Sequence, residues 1–194
     1  SPDAAPGSAA PRIPSDCTRL HDCELLVVGG QEKAEPSPDA RTIFLRNEHH
    51  PGYGGSQKLG LRYAVLQGFD FVVMLHSEGG YSFEDLPRLL QPLLDERADA
   101  VVGSGGDGGA LNWLQGLISG VRLSDFRSGY RAYRVSTLAR IPFLLNSNGL
   151  GFDAELTIQL GGLGARVLEA PVSTQALAGP TGKHGFRYAW NCLL

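Results

Sequence analysis

Apolar residues fall along this chain in two rhythms. Short continuous runs, Glu24-Leu-Leu-Val-Val28, Thr42-Ile-Phe-Leu45, Asp70-Phe-Val-Val-Met-Leu75 and Ala98-Asp-Ala-Val-Val102, predict strands. Asp70 to Leu75 is the most continuous and predicts a central parallel strand covered on both faces. Ala165 to Ser173 alternates and predicts one more strand. Between these runs the spacing turns helical. Leu59, Tyr63 and Leu66 recur on one face after a Gly52-Tyr-Gly-Gly55 turn, with Ser56 as N-cap and Gly68 as the stop. Leu86, Leu89, Leu90, Leu93 and Leu94 stripe a second helix. Ser82-Phe-Glu-Asp85 caps it, Pro87 sits in its first turn and Pro92 kinks it. Further helices are predicted near 110–121, 151–162 and 183–193, and loops at 31–41, 103–109 and 123–130. This alternation predicts an α/β fold with a mainly parallel sheet flanked by helices.

Length and composition sharpen this. The 194 residues suit one domain, which we place at 17–194. Residues 1–16, rich in Pro, Ala and Ser, read as a flexible tail. The net charge of −3 gives no reason to expect nucleic acid as a partner, and no apolar run is long enough for a transmembrane segment. Cys17, Cys23 and Cys192 form no metal-knuckle spacing, so three reduced thiols in a cytoplasmic protein are expected.

Ligands of such sheets bind at the carboxyl ends of the strands. That nominates loops 29–32, 76–81 and 103–109. In the second, His76 and Glu78 offer an imidazole and a carboxylate, a sparse donor set for a hard cation. Gly103 to Gly109 offers a backbone nest without a P-loop lysine. Further on, Asp125-Phe-Arg-Ser-Gly-Tyr-Arg131 packs a carboxylate, two guanidiniums and a phenol together. Arg127 or Arg131 can hold an anionic small molecule, and Asp125 can serve as a base or pair with an arginine. Asp153 and Glu155 stand two apart, as candidate acids or as helix N-terminal carboxylates. His49, His50 and His184 carry no local ligand pattern.

Taken together, several stretches resemble family-2 glycosyltransferases of the dolichyl-phosphate-mannose-synthase-like branch. They are Gly52 to Gly60, Gly68 to His76, Tyr81 to Pro87, Ala98 to Ser104, Leu123 to Tyr133, Ile141 to Phe143, Asn146 to Asn148 and Phe152 to Glu155. The resemblance runs from about residue 12 to 190 and implies a GT-A fold, a Rossmann-like nucleotide-sugar-binding sheet. It also implies departures. Arg12-Ile-Pro14 resembles the end of the family's opening helix, so the family's first strand is missing. Gly29-Gly-Gln-Glu32 stands for Asp-Asp-Gly-Ser, His76-Ser-Glu-Gly-Gly80 for His-Gly-Asp-Gly-Gln, and Gly103-Ser-Gly105 for Gly-Ser-Arg. The stretch between Gly109 and Leu123 is shorter than the family's, and Gln175 to Gly179 replaces a Tyr-Tyr-Gly-Asp-Glu element.

The losses gather on the nucleotide side. What survives is the sugar and acceptor side: Asp125, Glu78 and Asp153 as candidate catalytic groups, and His76, Arg127, Tyr130, Arg131 and Glu155 as candidate substrate-binding groups. The expectation is a scaffold that has lost ordinary transfer and become a small-molecule enzyme or a pseudo-glycosyltransferase. The alternatives are an active transferase using Glu78 with Mg²⁺ or Mn²⁺, or a binding subunit. A missing strand opens a sheet edge that a second copy or a partner chain can cover.

Overall fold

The computed structural model describes residues 24–29, 42–48, 52–75, 81–105, 120, 121, 123, 124 and 128–173. The tail at 1–16, the last helix expected at 183–193 and all three cysteines lie outside these.

Among the described residues six strands form two sheets. β1 (Leu25–Gly29) pairs in parallel with β2 (Thr42–Arg46). β3 (Phe71–Met74), β4 (Ala100–Ser104), β5 (Arg131–Arg134) and β6 (Val167–Pro171) form the second sheet, in the order β3-β5-β4-β6. β4 and β6 are parallel, whereas β5 runs antiparallel to both its neighbours. The expected layered α/β fold is present, with a mixed second sheet because of β5. No strand is predicted over 131–134, because Arg-Ala-Tyr-Arg has none of the apolar continuity of the other strands.

The helices cover both faces. α1 (Tyr53–Gln67) and α4 (Phe152–Gly162) bury Leu61, Phe152, Leu156 and Leu160 against Met74, Ala100 and Tyr133. α2 (Leu86–Leu94) buries Leu89, Leu90 and Leu93 on the other face, against Val101, Tyr130, Ala132 and Ala170. The short α3 (Val135–Leu138) turns the chain out of β5. Strand residues feed the two cores alternately, as a pleat requires.

Three local expectations change. α1 starts at Tyr53, so the Gly54-Gly55 pair is helical and Gly52, at φ 112°, is the N-cap. Ser56 lies inside the helix, where its hydroxyl accepts from Asn47 Nδ2 at 3.2 Å. Ser82 caps a 3₁₀ turn, accepting from Glu84 N, while the buried Asp85 carboxylate accepts from Ser173 N at 2.6 Å and from Arg88 at 2.7 Å. Asp85 thus ties α2 to the end of β6 instead of closing a capping box. Among the described residues β3 pairs with β5 alone, and antiparallel, with only Met74 buried, in place of the expected central parallel strand covered on both faces.

Glycine at the start of α1 is a packing requirement. A Cβ on Gly54 would stand 2.5 Å from the Ser147 carbonyl oxygen and 2.8 Å from Phe152 Cβ. A Cβ on Gly60 would meet Val28 and Leu26 at 3.7 and 3.8 Å, ordinary contact distances. Gly54→Ala is therefore expected to cost about 1–3 kcal/mol through overpacking. Gly60→Ala is expected to leave stability unchanged or raise it by up to about 1 kcal/mol, since alanine is the better helix former. Urea denaturation of the two variants checks the contrast.

Candidate functional site

The antiparallel course of β5 builds the site. Its first residue, Arg131, pairs with Met74, the last of β3, and with Val102 near the end of β4. A chain returning this way delivers its leading side chain to the carboxyl ends of its neighbours, where sheets of this class take ligands. The 128–130 segment before it lies at the same end. There the Tyr81 hydroxyl accepts from Gly129 N at 3.1 Å, and the Tyr81 and Tyr130 rings lie 5.5 Å apart.

Arg131 is 1% exposed and heavily bonded. Its Nε donates to the Ser128 carbonyl at 2.7 Å, and its Nη1 donates to Thr157 Oγ1 at 3.0 Å and to the Asp153 carbonyl at 3.3 Å. Its guanidinium lies 3.8 Å from the Asp153 carboxylate, itself 3% exposed. Tyr53, the first residue of α1, donates its hydroxyl to Asp153 Oδ2 at 2.6 Å. One buried cation, one buried anion and a phenol therefore join β5, α4 and α1. Burial chiefly, then the Asp153 charge and hydrogen bond, push the Tyr53 phenol far above its ordinary value. Burial pushes the Tyr133 phenol up to about 12, with the Arg131 charge opposing.

A second knot lies beside the first. Lys58 is buried in α1 and donates its ammonium to the Asn146 carbonyl and to Asn148 Oδ1. Gly54 N donates to the Asn148 carbonyl at 2.8 Å. Glu155 accepts from Ser147 N at 2.6 Å, and the Asn146 and Gln159 amides exchange hydrogen bonds. The 146–148 loop is thus fixed to the starts of α1 and α4.

Among the sequence candidates, Arg131 and Asp153 are brought together, Tyr130 lies fully buried beside Tyr81, and Glu155 faces the 146–148 loop. His76, Glu78, Asp125 and Arg127 lie outside the described residues, as does most of the 103–109 glycine loop. Among the described residues no group of three or more His, Cys, Asp or Glu side chains can hold a metal ion. One carboxylate and one imidazole at 76–80 remain a thin donor set for a divalent cation, which favours several oxygens. Sequence reasoning missed Tyr53, Lys58, Tyr81 and Thr157. Tyr53 meets Asp153 across 100 positions, and no local pattern signals such a pair.

The network makes two predictions. Asp153→Ala removes a carboxylate packed against the buried Arg131 guanidinium and is expected to cost about 3–5 kcal/mol, against about 1–2 kcal/mol for Tyr53→Phe. Chemical denaturation reads both. The raised phenols also make stability depend on pH. A proton held more tightly by the folded state contributes fully below the unfolded phenol value of about 10 and is lost as pH rises through the folded value. The native state is expected to weaken from about pH 10 toward pH 12, with Tyr133 still unionised at pH 11 in an ultraviolet titration.

No family model matches the chain. It is 33% identical over 175 residues to the undecaprenyl-phosphate mannosyltransferase of Micrococcus luteus, covering 82% of this chain and 71% of that protein. It is 28% identical over 188 residues to the polyprenol monophosphomannose synthase of Mycolicibacterium smegmatis, covering 84% and 69%. Among solved structures, glucosyl-3-phosphoglycerate synthase from Mycobacterium tuberculosis, in complex with phosphoglyceric acid, superposes with a TM-score of 0.62 at 20% identity. That match takes in 88% of this chain but only 66% of the solved one, and it shows the shared fold. No helix among the described residues is long and apolar enough to cross a membrane. With a third of the aligned positions identical to a named mannosyltransferase, and the shared fold, the chain belongs to the family-2 glycosyltransferases of GT-A fold, in their dolichyl-phosphate-mannose-synthase-like branch.

Proposed function

We propose that this chain is a pseudo-glycosyltransferase domain that keeps the acceptor half of the site and has given up ordinary nucleotide-sugar transfer. One contrast supports the reading. The framework around Arg131 is fully built, whereas the loops after β1, β3 and β4 read Gly29-Gly-Gln-Glu32, His76-Ser-Glu-Gly-Gly80 and Gly103-Ser-Gly105. Transfer from a nucleotide sugar leaves a diphosphate whose charge must be stabilised. In these loops the family's aspartates and arginine are replaced by glycines and a single carboxylate in each of two.

The ligand class we assign is an anionic small molecule, with a polyprenyl phosphate as the first candidate because the relatives' names carry that acceptor. Arg127 is the residue we assign to it. Arg131, Tyr130 and Asp153 then act as positioning residues, because their side chains are buried beneath the site. Asp125 remains the candidate base for any turnover.

A second reading is favoured by the 33% identity itself: an active transferase in which Glu78 holds Mn²⁺ or Mg²⁺ against the diphosphate. One experiment separates them. The purified chain is incubated with GDP-mannose and a short-chain polyprenyl phosphate, with and without Mn²⁺, and transfer and binding are both measured. The first reading expects no transfer, no metal-dependent affinity for GDP, and lipid-phosphate binding that Arg127→Ala weakens about tenfold or more. Metal-dependent transfer abolished by Glu78→Gln would establish the second.

A further inference from the structure

One row of residues crosses the second sheet with opposite charges at its two ends. Val102 of β4 pairs with Arg131 of β5 on one side and with Glu169 of β6 on the other. Residues opposite one another on paired strands point to the same face. Arg131 and Glu169 therefore share a face, two strand spacings or about 10 Å apart. The Arg131 end of the row is buried and the Glu169 end is exposed.

The Glu169 carboxylate is engaged all the same. Its Oε1 accepts from Ser124 N at 2.5 Å and from Ser124 Oγ at 2.9 Å. Bonds to an ionised acceptor are about twice as strong as neutral ones. The direction of a third bond follows from these. Ser124 gives its hydroxyl proton to the carboxylate, so in the 2.7 Å contact between Ser104 Oγ and Ser124 Oγ the Ser104 hydroxyl is the donor. Ser104 is the last residue of β4. Ser124 is thus tied to two neighbouring strands, while Val121 and Leu123 just before it pack with Val102. At the other end of the row, Arg131 Nε donates to the Ser128 carbonyl at 2.7 Å. The two charged members of one row therefore hold Ser124 and Ser128, the residues on either side of Asp125-Phe-Arg127.

We infer that Glu169 is a positioning residue for the anionic ligand: by holding Ser124 it sets where the Asp125-Phe-Arg127 stretch leaves the sheet. Four Cα steps join Ser124 to Ser128 and reach at most about 14 Å, so both anchors bear on every residue between them. The inference rests on the reading that Arg127 meets the ligand. It carries a sign that separates it from a plain charge effect. A carboxylate near a bound anion repels it, so removing that charge should by itself tighten binding. Removing an anchor weakens binding instead, because the guanidinium must then be ordered when the ligand arrives.

The test is the affinity of the whole chain for a short-chain polyprenyl phosphate. Glu169→Ala is expected to weaken binding about tenfold. Glu169→Gln keeps an oxygen for both Ser124 donors and is expected to stay within about threefold of the unaltered chain. Asp99→Ala is the control. It breaks the Asp99–Arg166 pair at the other end of the same two strands and is expected to leave affinity unchanged. In an Arg127→Ala background, Glu169→Ala is expected to add less than about twofold, since residues acting through one contact are not additive. Three outcomes overturn the inference alone: unchanged or tighter binding in Glu169→Ala, Glu169→Gln as weak as Glu169→Ala, or a further loss of about tenfold in the Arg127→Ala background. An unaltered chain that does not bind, or that Arg127→Ala does not weaken, overturns the reading of Arg127 and the inference with it.

Discussion

A guanidinium buried at the carboxyl ends of β3 and β4 must be satisfied, and much of the site follows from how that is done. Arg131 is 1% exposed, and an unpaired cation there would be untenable. Its partners include the Ser128 carbonyl just before β5, and Thr157 and Asp153 on α4. Asp153 in turn needs a second donor, and Tyr53 at the head of α1 provides one. Each demand recruits another element. The position of α4, the start of α1 and the path of the 128–130 segment are consequences of placing one charge in a dry interior.

The second knot works by backbone crowding rather than charge. The start of α1 lies so close to the 146–148 loop that Gly54 has no room for a Cβ, and Lys58 then spends its ammonium on two asparagine oxygens. Such a lysine holds a loop; it is not offered to a ligand. The two knots share α1 and α4, so the region around Arg131 rests on two helices cross-linked by buried polar groups. That is the arrangement a preorganised site needs.

Much of this fold was legible in the sequence. The runs at 24–28, 42–45, 70–75 and 98–102 each form a strand and the leucine stripe forms α2, although the 70–75 run is not the central parallel strand its apolar continuity predicts. The failures share a cause. β5 is hidden because Arg131 and Arg134 break its apolar pattern, and Arg131 is there for reasons of charge rather than burial. Ser56 misleads because a helix start rich in glycine is set by close packing against Ser147 and Asn148, not by a side-chain cap. The Asp153–Glu155 pair was visible as a pair, but its split could not be read locally. Asp153 turns inward to Tyr53 and Glu155 turns to Ser147 because partners about a hundred and eight positions away, respectively, stand on opposite sides of the first turn of α4.

The loops after β1 and β3 carry Gly29-Gly-Gln-Glu32 and His76-Ser-Glu-Gly-Gly80. Backbone groups aimed at a bound phosphate must be fixed to within a fraction of an ångström to stabilise charge. A glycine brings no charge of its own, so at such a position the backbone alone would have to do that work. The contrast behind the proposed function is therefore one of kind: glycine and a single carboxylate in each of these two loops, against a guanidinium held by buried partners at Arg131.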